Sequence, residues 1–290
     1  LQALSEGTNT ITANVSDAAG NAASQSSTTF TYDKTSPSIT SITPSWGSHL
    51  NATEDNSSGT VTVVTSGIED GQTVTVGLNG TNYTGSVSSN SVAITISATD
   101  LQALNEGTNT ITANVSDAAG NAASQSSTTF TYDKTSPSIT SITPSWGSHL
   151  NATEDNSSGT VTVVTSGIED GQTVTVGLNG TNYTGSVSSN SVTITISATD
   201  LQALTEGTNT ITADVSDYAG NAASQSSTTF VYDKTSPSIS SITLSWGTVL
   251  NATEDNNNGT VTVATSGIED GQTVTVGLNS RTYTGSVSNN

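Results

Sequence analysis

The side chains that could do chemistry in this chain are carboxylates, and they recur on a fixed period. Residues 35–134 hold Glu54, Asp55, Glu69, Asp70, Asp100, Glu106, Asp117 and Asp133. All eight positions return 100 residues later as Glu154, Asp155, Glu169, Asp170, Asp200, Glu206, Asp217 and Asp233. Asp17 and Asp33 come before them, and Glu254, Asp255, Glu269 and Asp270 come after. Against 24 acidic residues stand four basic ones, for a formal net charge of -20. Carboxylates, Asn side chains and backbone carbonyls form an oxygen-only donor set. Ca2+ takes such sets in flexible coordination, whereas Mg2+ prefers octahedral sites that keep several waters. Zinc is not expected: there is no Cys, and His49 and His149 give way to Val249 in the third copy. Paired carboxylates such as Glu54–Asp55 are also of the type used in acid–base catalysis. No His common to all copies completes a Ser/His/Asp arrangement, and no Gly-rich phosphate loop with its Lys is present. A sequence repeated almost unchanged implies a repeated physical job rather than one cleft, so no enzyme is expected. Nucleic acid is not an expected partner either, because its phosphates would be repelled.

The elements that must hold these acids are short strands. Residues 1–100 and 101–200 differ only at Ser5/Asn105 and Ala93/Thr193, and residues 201–290 are a diverged third copy. Alternation of Val, Ile and Thr with polar residues predicts strands over 38–43, 59–65, 72–78, 82–88, 91–97, 109–116 and 126–133. A short helix is expected over 99–107, capped by Asp100 and ended by Gly107. Seven antiparallel strands in such a unit predict an all-β architecture of tandem immunoglobulin-like β-sandwich domains, placed end to end as a rod. The expected divisions are 1–34 (the last two strands of a partial domain), 35–134 and 135–234 (complete domains), and 235–290 (the first four strands of another partial one). On this reading the chain is an interior piece of a longer protein. The large core candidates are Trp46, Tyr83, Phe130 and Tyr132. Hydrophobic residues make up only 31% of the chain, so burial is thin and a further staple is expected. Without Cys that staple is not a disulfide. No run of about 20 apolar residues suggests membrane insertion.

An odd number of strands carries the chain in at one end of a domain and out at the other. The leading end then holds the loops with Glu69, Asp70, Asp117 and Asn121. The trailing end holds those with Glu54, Asp55, Asp100, Glu106 and Asp133. Where domains stack, Asp133, Asp100, Glu54 and Asp55 are expected to face Glu169, Asp170 and Asp217. Two like charges about 4 Å apart repel by about 1 kcal/mol even in bulk water. A cation is therefore expected at each junction, held by members of the carboxylate set named above, Asp17 through Asp270. Glu106 and Glu206 lie outside that candidate set.

The junction itself is marked by "YDKTSPS" at 32–38, 132–138 and 232–238, which carries three of the four basic residues. Asp133 is the foremost candidate ligand there. Pro137 lacks an N–H and restricts Ser136 to extended backbone, which stops the last strand from running on. Lys134 is expected either to offset acidic repulsion or to lie solvated in the linker.

The segment "LQALNEGTNTITANVSDAAGNAASQSSTTFTYDKTSPSI" resembles the closing half of bacterial immunoglobulin-like repeats, and "GQTVTVGLNGTNYTGSV" resembles their middle hairpin. Such repeats form the extender regions of giant RTX-type adhesins. The resemblance implies repeats that bind Ca2+, stiffen against adjacent repeats, and hold a distal domain that binds a surface ligand. It implies an extracellular place on a cell surface, with anchoring through regions outside this segment. The Lys of "DKTSP" departs from that pattern, where an uncharged residue often follows the Asp. The alternatives are repeats that themselves bind glycan or ice, with "SWG" at 45–47 as the one aromatic platform, and repeats of a phage fibre or surface layer.

Overall fold

A computed structural model describes residues 3–289. The chain begins with two strands, β1 (Gly7–Ala13) and β2 (Ser26–Tyr32). The next eight are β3 (Ser38–Pro44), β4 (His49–Leu50), β5 (Gly59–Ser66), β6 (Thr73–Leu78), β7 (Thr81–Ser86), β8 (Ser91–Ile96), β9 (Gly107–Asn114) and β10 (Ser126–Tyr132). One short helix, α1 (Ala98–Gln102), lies between β8 and β9. These elements make two facing sheets, ordered β3-β5-β8 and β4-β10-β9-β6-β7. The second copy repeats them as β11 (Ser138–Pro144), β12 (His149–Asn151), β13 (Gly159–Ser166), β14 (Thr173–Leu178), β15 (Thr181–Ser186), β16 (Ser191–Ile196), α2 (Ala198–Gln202), β17 (Gly207–Asp214) and β18 (Ser226–Asp233). Four more strands follow: β19 (Ser238–Leu244), β20 (Val261–Ser266), β21 (Thr273–Leu278) and β22 (Arg281–Ser286). Among the described residues they pair only as β19-β20 and β21-β22.

The strands are where alternation put them because successive side chains point to opposite faces. Along β6, Val74, Val76 and Leu78 are buried while the Thr and Gly between them are not. Facing residues from both sheets close one apolar cluster per complete sandwich. In each cluster an indole meets a phenyl edge-on, Trp46 with Phe130 and Trp146 with Phe230, both at 5.3 Å between ring centres. Gly59 is needed beneath that indole, because a Cβ there would stand 2.4 Å from a Trp46 ring carbon. Tyr132 is buried as expected, but Tyr83 is only partly buried at the cluster's edge.

Three details differ from the strand reading. First, β7 hydrogen-bonds to β6 and not to the β3-β5-β8 sheet, where the fourth strand of a constant-type immunoglobulin domain lies. The cause is the two-residue Asn79-Gly80 turn, with φ of 48° and 77°, which folds β7 straight back on β6. Second, residues 49–56 are not a plain loop. β4 adds to β10 in parallel, and a 3-10 turn (Glu54–Asn56) follows. A two-residue strand carries no readable period. Third, the helix covers only Ala98–Gln102, and its cap is Ser97, whose hydroxyl oxygen accepts from the Asp100 amide at 3.2 Å. Asp100 is therefore a first-turn residue and not the cap. Gly107, at φ 104°, opens β9 instead of ending the helix.

Candidate metal centre at the junction of the two sandwiches

β10 ends at Tyr132, and the hydroxyl of that residue donates to the buried Asp55 carboxylate at 2.6 Å. Burial, followed by this bond, raises the Tyr132 hydroxyl well above its ordinary value. The equivalent bond from Tyr232 to Asp155, also 2.6 Å, leads the causes that push Tyr232 up to about 12. The next residue, Asp133, emerges at the joint. Its Oδ1 accepts from the Thr135 amide at 3.0 Å. Glu106, at the foot of β9, accepts from the Lys134 amide at 2.9 Å and from the Thr135 hydroxyl at 2.8 Å, and these bonds hold its carboxyl below the usual value. Glu6 and Glu206 clamp the other two linkers in the same way.

The leading end of the second sandwich meets this linker directly. Asn221 donates its amide hydrogens to the Asp133 carbonyl at 2.9 Å and to Asp217 at 3.0 Å. The Asn221 side-chain oxygen accepts from the Ala52 amide at 3.0 Å. Asn51 donates across the joint to the Ala219 carbonyl at 2.9 Å. The rings of His49 and Tyr218 meet edge-on at 4.7 Å. Glu169 accepts from the Tyr218 amide at 3.0 Å, tying the loop before β14 to the loop before β18. At the preceding joint Asn121 bridges the Asp33 carbonyl and Asp117, and Glu69 accepts from the Ala118 amide.

The electrostatic result is concentrated on Asp133. Burial raises its carboxyl, the Thr135 amide pulls it down, and the negative charges of Asp217, Glu106 and Glu169 push it up again, leaving it above its ordinary value. The ammonium of the neighbouring Lys134 lies over the Tyr132 ring, 5.7 Å from the centre, and its charge helps to lower Glu106 but is not among the causes acting on Asp133. Asp117 has the opposite balance. Burial works to raise it, but hydrogen bonds from the Asn121 side chain and backbone hold it below its usual value.

The expected carboxylates therefore separate into two groups. Asp133, Asp217 and Glu169 share the joint with Glu106, and Asp33, Asp117 and Glu69 occupy the matching places one joint earlier. Most of the others, like these, have short-range partners. Glu54, Glu154 and Glu254 accept from the amides of Asn51, Asn151 and Asn251. Asp55 and Asp155 are buried beneath tyrosines, while Asp255 is exposed. Asp70 and Asp170 accept from Ser89 and Ser189 at 2.7 Å. Asp100 and Asp200 accept from the Ser97 and Ser197 hydroxyls at 2.7 Å. Asp17 folds onto Asn21, and Asp233 accepts from Thr235. Glu269 and Asp270 are exposed in the turn before β21. Asp100, Glu54, Asp55 and Asp170, also expected to face across the joint, accept from nearby amides and hydroxyls, as Asp133, Asp217 and Glu169 do. Among the described residues, no three or more His, Asp or Glu side chains are grouped so that they could hold a metal ion as they stand. Residue types alone did not single out Glu106 and Asn51. Their signal is positional: a Glu 28 residues before each Lys, and an Asn three before each Glu-Asp pair.

No family model and no curated protein sequence matches the chain. Solved structures do. A Ca2+-stabilized adhesin with which an Antarctic bacterium binds ice is 25% identical, with 98% of this chain and 71% of that one aligned and a TM-score of 0.44. A structure from a 1.5-MDa bacterial ice-binding adhesin, studied for host cell surface retention, is 27% identical over 87% of this chain and 83% of that one, with a TM-score of 0.44. A bacterial immunoglobulin-like domain of the M. primoryensis ice-binding adhesin is 30% identical, with 33% of this chain covering 95% of it and a TM-score of 0.26. Among the described residues no helix is long and apolar enough to cross a membrane. With that identity over nearly all of a solved domain, and with its own repeated sandwiches, the chain belongs to the bacterial immunoglobulin-like repeats.

Proposed function

We propose that the chain is an extender of a large bacterial surface adhesin, in which Ca2+ at the joints locks successive sandwiches into a rod that projects a distal ligand-binding domain. The observation that carries this reading is Asp133, at a joint where Asn221 ties the two sandwiches together and where the charges of Asp217, Glu106 and Glu169 push its carboxyl up. Such a set of hard oxygen donors fits Ca2+. Asp133, Asp217, Glu169 and Glu106 would hold the ion, and it would supply the positive charge that lets the two acidic ends stay together. The protein's own part is to fix the donors: Asn221 pins the Asp133 carbonyl, and Glu106 clamps the linker amides. The same roles fall to Asp33, Asp117, Glu69 and Glu6 one joint earlier. The extracellular, surface-anchored setting belongs to this proposal, as does a distal ligand bound by other domains. Direct binding of glycan or ice at "SWG" loses its aromatic platform, because Trp46 is buried against Phe130.

The test is small-angle scattering and thermal melting with Ca2+ and then with chelator. Ca2+ is expected to lengthen and stiffen the particle and to raise its melting temperature. No change in either would sink the metal reading.

A further inference from the structure

The hairpin that folds β7 onto β6 turns on an Asn-Gly pair, Asn79-Gly80, and the second sandwich repeats it as Asn179-Gly180. The one other Asn-Gly pair, Asn258-Gly259, precedes β20 and lies outside such a turn. Each hairpin pair supplies both central residues of a two-residue turn, at φ 48° and 77° in the first sandwich and 50° and 77° in the second. All four residues are exposed. The ladder closes with Leu78 opposite Thr81, so the Gly80 N–H lies outside it and finds no partner among the described residues. A Cβ added at Gly80 would meet nothing within 4 Å, so no neighbour shields that nitrogen. The Asn79 side chain is held by one long bond, Nδ2 to the Ala103 carbonyl at 3.4 Å, and Asn179 meets Ala203 in the same way. Asparagines elsewhere are better tied. The Asn51 side-chain oxygen accepts from the Thr53 and Glu54 amides at 2.8 and 3.0 Å, and Asn121 donates to Asp117 at 2.8 Å. Both of those precede an alanine.

We propose that Asn79 and Asn179 are modification sites, at which the hairpin turn deamidates itself with water as the only co-reactant. The Gly80 nitrogen loses its proton to solvent base and attacks the side-chain carbonyl carbon of Asn79. Glycine permits this because it carries no Cβ and its backbone turns freely. The new C–N bond closes a five-membered imide, the bond to Nδ2 breaks, and ammonia leaves with a proton from solvent. Water then opens the ring at one of its two carbonyls. One opening restores the ordinary main chain with an aspartate at 79. The other routes the main chain through the former side chain and leaves an isoaspartate. Nothing is oxidised or reduced, and each event turns a neutral amide into a carboxylate. The isoaspartate has the larger effect, because it adds one atom to a turn whose two-residue length sets β7 on β6. β7 has little slack: a Cβ at Gly85 would stand 2.7 Å from Val92 of β8. The lengthened turn loosens this edge strand and leaves β10, β9 and β6 paired. The product carboxylate is of the chemical class taken by isoaspartyl O-methyltransferases.

The test is ageing of the chain in warm, mildly alkaline buffer, followed by peptide mass mapping and by labelling with an isoaspartyl methyltransferase. The amide-to-acid mass gain is expected at Asn79 and Asn179 ahead of Asn51 and Asn121, with the methyl label on the same peptides. Gly80→Ser with Gly180→Ser is expected to slow both conversions by roughly tenfold or more, because a side chain at the attacking residue hinders the approach. Serine suits this turn, since Ser280 holds φ 62° at the same place in the third copy. Asn79→Asp with Asn179→Asp adds the charge without lengthening the turn. That variant is expected to melt with the fresh chain, while the aged chain melts lower. Acid at Asn51 or Asn121 no later than at Asn79, an undiminished rate in the serine variant, or no acid at 79 while a free peptide of residues 77–82 converts would each overturn the proposal. An aged chain that melts with the aspartate variant would overturn the loosening of β7.

Discussion

Asp133 is set apart from its neighbours by the sign of its perturbation. Its carboxyl is raised, so between the ordinary aspartate value and the raised one the folded chain binds more protons than the unfolded chain. Its contribution to metal-free stability is therefore lost as pH rises through that window. Glu106 is lowered by its linker bonds, so its contribution is lost in the opposite sense, as pH falls. Asp133→Asn isolates the first effect. Without Ca2+ at neutral pH the variant is expected to melt above the unaltered chain, with the gap closing near pH ~4. With Ca2+ the order reverses, and affinity measured by calorimetry falls by roughly tenfold or more. Lys134 should have little part in this. Its ammonium rests on Tyr132, a contact of about 0.5–1 kcal/mol at an exposed site. Lys134→Gln is expected to change Ca2+ affinity by less than about threefold, and a larger gain in affinity would restore a competing role for the lysine.

Between β10 and the 3-10 turn, the Tyr132–Asp55 bond joins two elements that sequence alone does not connect. It fixes the strand end from which Asp133 projects and satisfies a buried carboxylate. Tyr132→Phe leaves that carboxylate without its donor and is expected to cost about 1.5–3 kcal/mol in denaturant unfolding. Asp55→Asn in the same background should recover part of the loss, because a neutral amide is cheaper to leave buried than a charge. Strand positions were legible because Val74, Val76 and Leu78 alternate with polar residues, and the Asn79-Gly80 turn announces its hairpin. β4 is too short to show a period, and the helix cap lay one turn earlier than the acid that suggested it. The acids were legible as a charge problem at the domain ends. What holds each of them in place was not, because that depends on amides such as those of Asn51 and Ser89, and a backbone donor leaves no trace in residue type.

Along the whole chain, the two sandwiches are joined by more than a linker. Asn221 alone contacts Asp217, the Asp133 carbonyl and the Ala52 amide. Asn221→Ala is expected to leave each sandwich folded while the scattering envelope shows a bent, heterogeneous particle even with Ca2+. An unchanged rod would mean that the metal and the ring contact of His49 with Tyr218 suffice. A string of such units is also a mechanical object. β4 and β10 run parallel, with Leu50 beside Tyr132 and the Asp133 amide bonded to the Leu50 carbonyl. A pull that reaches β4 from one neighbour and leaves through β10 to the next draws the two strands in opposite directions along their own axes. The cross-links between them are then sheared together and do not unzip one at a time. The short, unpredicted β4 thereby becomes the place where each unit would resist extension, and the rate of rupture under load would be set there.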